Sequence, residues 1–174
     1  MSEITIRRAS EEDQQAVGAL WGTLLDEQAA LEDRMGVAED AQERWNNDFP
    51  MWIEDETRRL FVAETEAVVG FVSARRWGPP PIYEEQEEIF LEELYVTPEA
   101  RREGVGTRLV SAVREWADEL GARRIRLSVL AANEPARGFW AAQDAHPMTL
   151  TLTMECPGAP DAKEDDEGTK KIGF

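Results

Sequence analysis

The chain has 174 residues, and 36 acidic against 19 basic side chains give it a net charge of −17 at pH 7. This length suits one domain with a real core, and the negative field disfavours nucleic acid and anionic membranes as partners. The chain has one cysteine, Cys156, and one histidine, His146. Neither an internal disulfide framework nor a Cys/His metal site is therefore expected. Without a long apolar run or a signal-peptide pattern, we expect a cytoplasmic protein.

The first half of the chain predicts a strand, two helices and a hairpin of two strands, judged from the spacing of apolar residues. Ser10 is a candidate N-cap for the first helix, and Pro50 is expected to interrupt the second. The elements are predicted at residues 4–9, 11–35, 39–53, 59–64 and 67–77.

The second half predicts a strand, an amphipathic helix, a further strand, a short helix and a last strand. These elements are predicted at residues 89–96, 107–120, 124–130, 133–143 and 148–154. From residue 157 the chain is polar and poor in large apolar side chains. We therefore expect one domain over residues 1–156, followed by an acidic tail over 157–174 that is mobile or depends on a partner.

The stretch RREGVGTRLV, residues 101–110, places two glycines between a strand and a helix. Glycines at 104 and 106 allow positive φ and close approach of a ligand, and the helix N-terminus offers free N–H groups. A phosphate or pyrophosphate is the natural guest, although a plain turn explains the same glycines. A P-loop is excluded because no lysine follows, and a Rossmann fingerprint because Leu109 stands where its third glycine belongs.

Three segments together resemble the GNAT superfamily of N-acetyltransferases. Arg101-x-x-Gly104-x-Gly106 matches its Arg/Gln-x-x-Gly-x-Gly/Ala signature, VAETEAVVGFV is similar to its second and third strands, and NEPARGFW to its segment after the fifth strand. The resemblance covers roughly residues 3 to 155. It implies a single α/β domain of the α+β type, with a mixed, mostly antiparallel sheet of six to seven strands flanked by about four helices.

The resemblance also implies that acetyl-CoA is the co-substrate. Its pantetheine arm would lie between the splayed fourth and fifth strands, and its pyrophosphate would lie on the glycine turn. The side chains or backbone groups expected to bind it are Leu94, Tyr95, Val96, Arg101, Arg102, Glu103, Gly104, Val105, Gly106, Thr107, Asn133, Phe139 and Trp140.

Two acids, Glu92 and Glu93, interrupt the apolar strand IFLEELYV. Strand alternation sends them to opposite faces, so only one is expected to face the cleft. The stretch FLEELYV resembles the LEDFFV type of segment in polyamine acetyltransferases, which makes Glu92 the first candidate for the catalytic base and Glu93 the second. The alternative is that one faces solvent and the other forms an ion pair.

Departures from the family pattern keep a second function open. Trp140 stands where many members carry a tyrosine as general acid, and an indole N–H is no practical acid. Asp144-Ala145 replaces the usual Gly-Phe, and Glu103 stands where a basic residue is common. The alternative to an enzyme is therefore a CoA-binding sensor that has lost turnover.

The predicted activity is transfer of an acetyl group from acetyl-CoA to a primary amine, by direct attack of the amine on the thioester. The acidic segment 84–88 slightly favours a small cationic acceptor. Trp21, Trp45 and Trp52 lie in the helices expected to roof the acceptor site. Core packing is their default role, and an amine-binding aromatic box is the alternative. We expect no metal, and a homodimer is possible.

Overall fold

One five-stranded sheet organises the residues that the computed structural model describes, 3–80, 82–84 and 86–158. Strands β1 to β4 are antiparallel and β5 is parallel to β4, in the spatial order β1-β2-β3-β4-β5. The strands are β1 Thr5–Arg8, β2 Arg58–Glu64, β3 Val68–Trp77, β4 Glu88–Val96 and β5 Arg124–Leu127. The helices are α1 Gln14–Leu31, α2 Ala41–Glu54, α3 Val105–Glu119 and α4 Glu134–Ala142. None of these helices combines the length and apolarity that crossing a bilayer requires.

The predicted mixed sheet and four helices are confirmed, but the count of six to seven strands is wrong for the described residues. The strand expected at 148–154 does not form there, although its residues alternate between threonine and apolar side chains. Met148, Leu150, Leu152 and Met154 are 60% to 92% exposed. Alternation selects one apolar face, but a strand also needs a neighbour that completes its hydrogen bonds, and no described strand pairs with this segment. Of the predicted tail, residues 159–174 lie outside the described residues.

Two apolar cores lie on opposite faces of the sheet. The α3 side buries Leu109, Val113 and Trp116 of α3 against Val72 of β3 and Leu91 of β4. The other side, under α1 and α2, buries Val17, Trp45, Phe49, Phe71 and Tyr95. Burying these large side chains is the main favourable contribution to folding.

Helix α2 continues through Pro50, contrary to the predicted interruption. Proline has no N–H, so the carbonyl of Asn46 one turn earlier loses its helical partner. The side-chain amide of Gln14, in α1, donates to that carbonyl at 2.8 Å. A neighbouring helix therefore satisfies the acceptor that the proline leaves free, and the two helices are joined at that point.

Gly70 marks a close approach between β3 and β4, where it pairs with Val96. A Cβ at this position would lie 2.8 Å from the backbone oxygen of Tyr95. We expect Gly70→Ala to cost about 1–3 kcal/mol because backbone must move, which lowers the melting temperature by roughly 2–10 °C. Thermal unfolding followed by circular dichroism measures this change.

Gly78→Ala is the matched control, because a Cβ at Gly78 meets nothing within 4 Å. Its melting temperature should stay near that of the wild type. Equal melting temperatures for the Gly70 and Gly78 variants would contradict the close approach.

Candidate functional site

Strands β4 and β5 separate partway along their length. Their parallel pairing runs from Glu88 opposite Arg124 to Leu91 opposite Leu127, and β5 ends there, three residues earlier than predicted. The rest of β4, up to Val96, has no described strand on that side. The backbone oxygen of Val96 accepts from the Arg101 side chain at 2.8 Å. The other backbone groups along that edge can pair with an extended ligand.

A β-bulge in β4 lies directly at this separation. Ser73 pairs with Glu93 and Ala74 pairs with Leu91, so Glu92 is an extra residue in the ladder. The expectation that Glu92 and Glu93 point to opposite faces is therefore wrong, and both line one cavity on the α1–α2 side of the sheet. An extra residue breaks the two-residue alternation at the point where it is inserted.

Glu93 is held from two sides. The indole N–H of Trp21, in α1, donates to one carboxylate oxygen at 2.8 Å, and the Ser73 hydroxyl donates to the other at 2.8 Å. Burial raises the pKa of the Glu93 carboxyl above its ordinary value, while the bonds from Ser73 and Trp21 oppose that rise. A carboxyl with a raised pKa in a cavity is suited to exchanging protons near neutral pH.

Glu92 is clamped by two arginines. Arg58 reaches one of its oxygens at 2.6 Å and Arg75 the other at 2.8 Å. The Arg58 guanidinium lies 5.5 Å from the centre of the Trp52 ring, and that of Arg75 lies 4.7 Å from the Trp77 ring. Because both carboxylate oxygens are bound by guanidinium groups that stack on tryptophan rings, the role that this geometry indicates for Glu92 is that of an ion-pair partner.

The cavity beside these acids has a volume of about 280 Å³. Four aromatic side chains contribute to its walls, namely Trp45, Trp52, Phe71 and Phe90. Apolar walls around a half-buried carboxyl and a few polar groups are typical of small-molecule sites. Trp45 is buried and packs on Phe49, so it is part of the core as well as of the cavity wall.

The glycine turn precedes α3, which begins at Val105, two residues earlier than predicted. Arg102 and Gly104 both have positive φ, at 70° and 79°, and Gly104 is the N-cap. Gly106 serves another purpose, because a Cβ there would lie 3.2 Å from the Phe139 ring. The first N–H groups of α3 have no hydrogen-bond acceptor within the helix, so they are available to a ligand at the turn.

Arg101 and Tyr95 connect the turn to α1. Arg101 donates to the backbone oxygen of Val96 at 2.8 Å and to Glu27 at 3.1 Å, and the Tyr95 hydroxyl also donates to Glu27 at 3.1 Å. Arg101 therefore braces the turn from behind. Burial raises the pKa of the Tyr95 hydroxyl, which makes it a poor proton donor.

The remaining predicted site residues lie around the turn and α4. Arg102, Glu103 and Thr107 are exposed beside it. Asn133 caps α4 by accepting from the N–H of Ala136 at 3.0 Å, so its oxygen is already engaged. The rings of Phe139 and Trp140 meet edge to face at 4.9 Å, and Trp140 packs against the α3-side core.

No group of three or more metal-ligating side chains occurs in the part of the chain that the structure describes. His146 and Cys156 are both exposed there.

Sequence reasoning missed the side chains that hold the two acids. The sequence predicts Trp21 as a core residue or as part of an amine-binding aromatic box, not as a partner of Glu93, and it singles out neither Ser73 nor the arginines at 58 and 75. The bulge puts both acids on the face where these side chains lie, and no pattern in the sequence predicts a bulge at this position. Two acids within an apolar strand were the signal in the sequence that could have predicted such partners, because charges removed from water need a paired charge or hydrogen bonds.

Comparisons with known proteins agree with this geometry. The model of the acetyltransferase (GNAT) family matches residues 30–144. Thialysine N-epsilon-acetyltransferase from Bos taurus is 38% identical over 68 residues, which are 39% of this chain and 40% of that protein. An uncharacterized N-acetyltransferase from Archaeoglobus fulgidus is 37% identical over 87 residues, 49% of this chain and 58% of that protein. The matches thus span about half of these relatives' lengths.

Solved structures share the fold. A tetramutant of the BH1408 protein from Bacillus halodurans superposes with a TM-score of 0.78 at 17% identity, over 87% of this chain and 99% of that one. Aminoglycoside N-acetyltransferase AAC(6')-Iy in complex with CoA superposes with a TM-score of 0.69 at 18% identity, over 90% and 97% of the two chains.

Proposed function

Because this chain belongs to the acetyltransferase (GNAT) family, we propose that it transfers an acetyl group from acetyl-CoA to a primary amine. The observation that carries the proposal is the position of Glu93, a half-buried carboxyl in a cavity, at the point where β4 and β5 separate. The proposal places the base beside a slot for an extended donor substrate.

The residues around the slot fit acetyl-CoA. Leu94, Tyr95 and Val96 lie along the part of β4 that no described strand covers on the β5 side. Apart from the Val96 oxygen, which accepts from Arg101, backbone groups along this edge can hydrogen bond to the pantetheine arm as a neighbouring strand would. The N–H groups at the start of α3, with the helix dipole, suit the pyrophosphate. Arg102 adds positive charge beside the turn, while Arg101 acts by bracing it.

In the proposed mechanism, the aromatic cavity orients the acceptor and Glu93 accepts the proton that the amine must lose. The amine nitrogen then attacks the thioester carbon, the C–N bond forms, and the C–S bond breaks. The electron pair of that bond leaves on sulfur. Trp140 cannot supply a proton to the thiolate, so we assign this proton to solvent.

The base assignment reverses the order expected from sequence. Glu92 has both oxygens bound by arginines, so taking up a proton would break two ion pairs. Glu93 is bound by neutral donors, and burial raises the pKa of its carboxyl towards the range in which a base works.

Both the primary amine and the class of molecule that carries it stay predictions. The relatives are named for transfer to thialysine and to aminoglycosides. The preference for a small cation based on segment 84–88 likewise stays a prediction. Two acids of that segment are engaged in ion pairs, Glu87 with Arg76 at 2.6 Å and Glu88 with Arg124 at 3.0 Å. The predicted homodimer is likewise untested, and the exposed apolar residues of 148–154 support it.

The experiment that tests the proposed function measures thiol release from acetyl-CoA with a chromogenic thiol reagent. Polyamines, aminoglycosides, amino acids and short peptides are supplied in turn at low and high salt. We expect at least one amine class to stimulate release. Tight binding of acetyl-CoA without stimulation by any amine would favour the sensor function instead.

The pH profile gives a separate prediction about Glu93. The carboxyl must be ionised to accept a proton, so kcat/KM should fall as the pH falls through its pKa. Trp21→Phe removes one donor to the ionised form and raises that pKa further. The acid limb of the pH profile should therefore move to higher pH, as measured by initial rates across a pH series.

Trp52→Phe is the matched control, since Trp52 lines the same cavity but donates no hydrogen bond to Glu93. Its acid limb should keep the wild-type midpoint. The base assignment would be contradicted by identical shifts in both variants, or by an acid limb that moves to lower pH in Trp21→Phe.

A further inference from the structure

A second groove lies on the opposite face of the sheet from the acceptor cavity. It runs between α3 and the strands β1 and β2, with a volume of about 470 Å³. Ile6, Phe61 and Trp116 supply its apolar floor, and arginines line its sides. Arg59 also contributes to the wall of the acceptor cavity, but the proposed acetyl transfer assigns no role to Arg59 or to any other residue of this groove.

Two of these arginines are neighbours on the same face of adjacent strands. Arg8 lies opposite Phe61 in the β1–β2 ladder, and Arg59 stands two residues from Phe61 on β2. Diagonal neighbours of this kind are within reach of long side chains. Burial lowers the pKa of the Arg59 guanidinium the most, and the charge of the neighbouring Arg8 lowers it further.

Neither guanidinium has a carboxylate partner within the described ranges, although the chain carries a large excess of acids. Arg59 donates only to the backbone oxygens of Glu56 and Arg58, at 3.1 and 2.7 Å, and its Cζ atom lies 5.3 Å from the centre of the Trp116 ring. Arg8 donates to the backbone oxygen of Ile53 at 3.2 Å. Like charges held side by side without a counterion attract an anion.

We propose that Arg8 and Arg59 form a binding site for a small oxyanion, a phosphate or a carboxylate group carried by a small molecule. Guanidinium forks bind both groups through paired N–H donors. The apolar floor of the groove leaves room for the rest of such a molecule. The site is independent of the proposed acetyl transfer, and its failure would leave that proposal intact.

Two carboxylates of α3, Glu115 and Glu119, also line the groove and set a limit on the affinity. Neither forms an ion pair with Arg8 or Arg59. The charge of Glu119 acts on Arg59 in the direction opposite to that of Arg8. Neutralising Glu119 should therefore strengthen binding of an anion, whereas neutralising either arginine should weaken it.

The test follows the Nε–H signals of arginine and the indole signal of Trp116 by NMR. Inorganic phosphate, sodium acetate and sodium chloride are titrated at equal ionic strength. We expect saturable shifts with phosphate or acetate and none with chloride, and the oxyanion that saturates identifies the group bound. Removing a charge-assisted bond weakens binding by about tenfold or more, so Arg59→Gln and Arg8→Gln should each raise the Kd by that factor.

Two further variants make the result decisive. Glu119→Gln should lower the Kd, and Arg44→Gln, which changes an exposed arginine on α2, should leave it unchanged. Arg8→Gln leaves the stacking of Arg59 on Trp116 in place, so a folding defect of Arg59→Gln cannot mimic the effect. Equal shifts with chloride, no saturation, or the same Kd in both arginine variants as in the wild type would overturn the proposal.

Discussion

Glu93→Gln should lower kcat/KM for the amine by about 10²- to 10⁴-fold, which is the usual contribution of a positioned base. The amide has the shape of the carboxylate but cannot accept the proton. Because Glu93 contacts α1 and β3 and not the glycine turn, the Kd for acetyl-CoA should stay unchanged. The loss should shrink as the pH rises towards the pKa of the amine, about 10 for a lysine-like group, because the amine then needs no base. Initial rates and calorimetry measure these quantities.

Glu92→Gln is the neighbouring control. It leaves Arg58 and Arg75 without their carboxylate, so it should cost roughly 1–2 kcal/mol of stability while lowering kcat/KM less than tenfold. A larger rate loss in Glu92→Gln than in Glu93→Gln, with an unchanged melting temperature, would identify Glu92 as the base.

Thr107→Glu should separate stability from binding of acetyl-CoA. Position 107 lies in the first turn of α3 and is exposed, so a negative charge there interacts favourably with the helix dipole and should preserve or raise the melting temperature. The same charge lies where the proposal places the pyrophosphate. Repulsion between them should raise the Kd for acetyl-CoA at least about tenfold, a change of roughly 1.4 kcal/mol. Calorimetry and thermal unfolding of the same preparation measure the two effects.

Thr107→Gln matches the glutamate in size without its charge. It removes the same bond between Thr107 and Gln143, which is 3.0 Å long in the wild type. The glutamine variant should bind acetyl-CoA close to normally. Equal affinities for the glutamate and glutamine variants would place the pyrophosphate away from this turn.

Local patterns predicted the elements that depend on local interactions. Three such patterns depend only on the conformation of their own residues. They are the amphipathic period of α3, the proline and Asn133 at the start of α4, and the glycine turn. The predicted positions of α3 and α4 therefore differ from the observed ones by only a few residues. The resemblance to the GNAT superfamily supplied the order of elements around the site.

Features that depend on non-local pairing could not be predicted in this way. The bulge at Glu92 arises from the register between β3 and β4, and it places Glu92 on the same face of the sheet as Glu93. Likewise, Pro50 is tolerated because the side chain of Gln14, in another helix, donates a hydrogen bond to the Asn46 carbonyl in place of the missing proline N–H. The alternating residues 148–154 show the converse, since a strand-like pattern is not sufficient without a partner strand.

The most direct test of the proposed function measures both products of one reaction. Acetyl-CoA and the best amine are mixed with wild-type protein or with Glu93→Gln, and free thiol and acetylated amine are quantified in the same samples, the amine by mass spectrometry. We predict equal amounts of thiol and acetylated amine in the wild type, and slow formation of both in the variant. Thiol release without acetylated amine, or equal rates for both proteins, would contradict acetyl transfer assisted by Glu93.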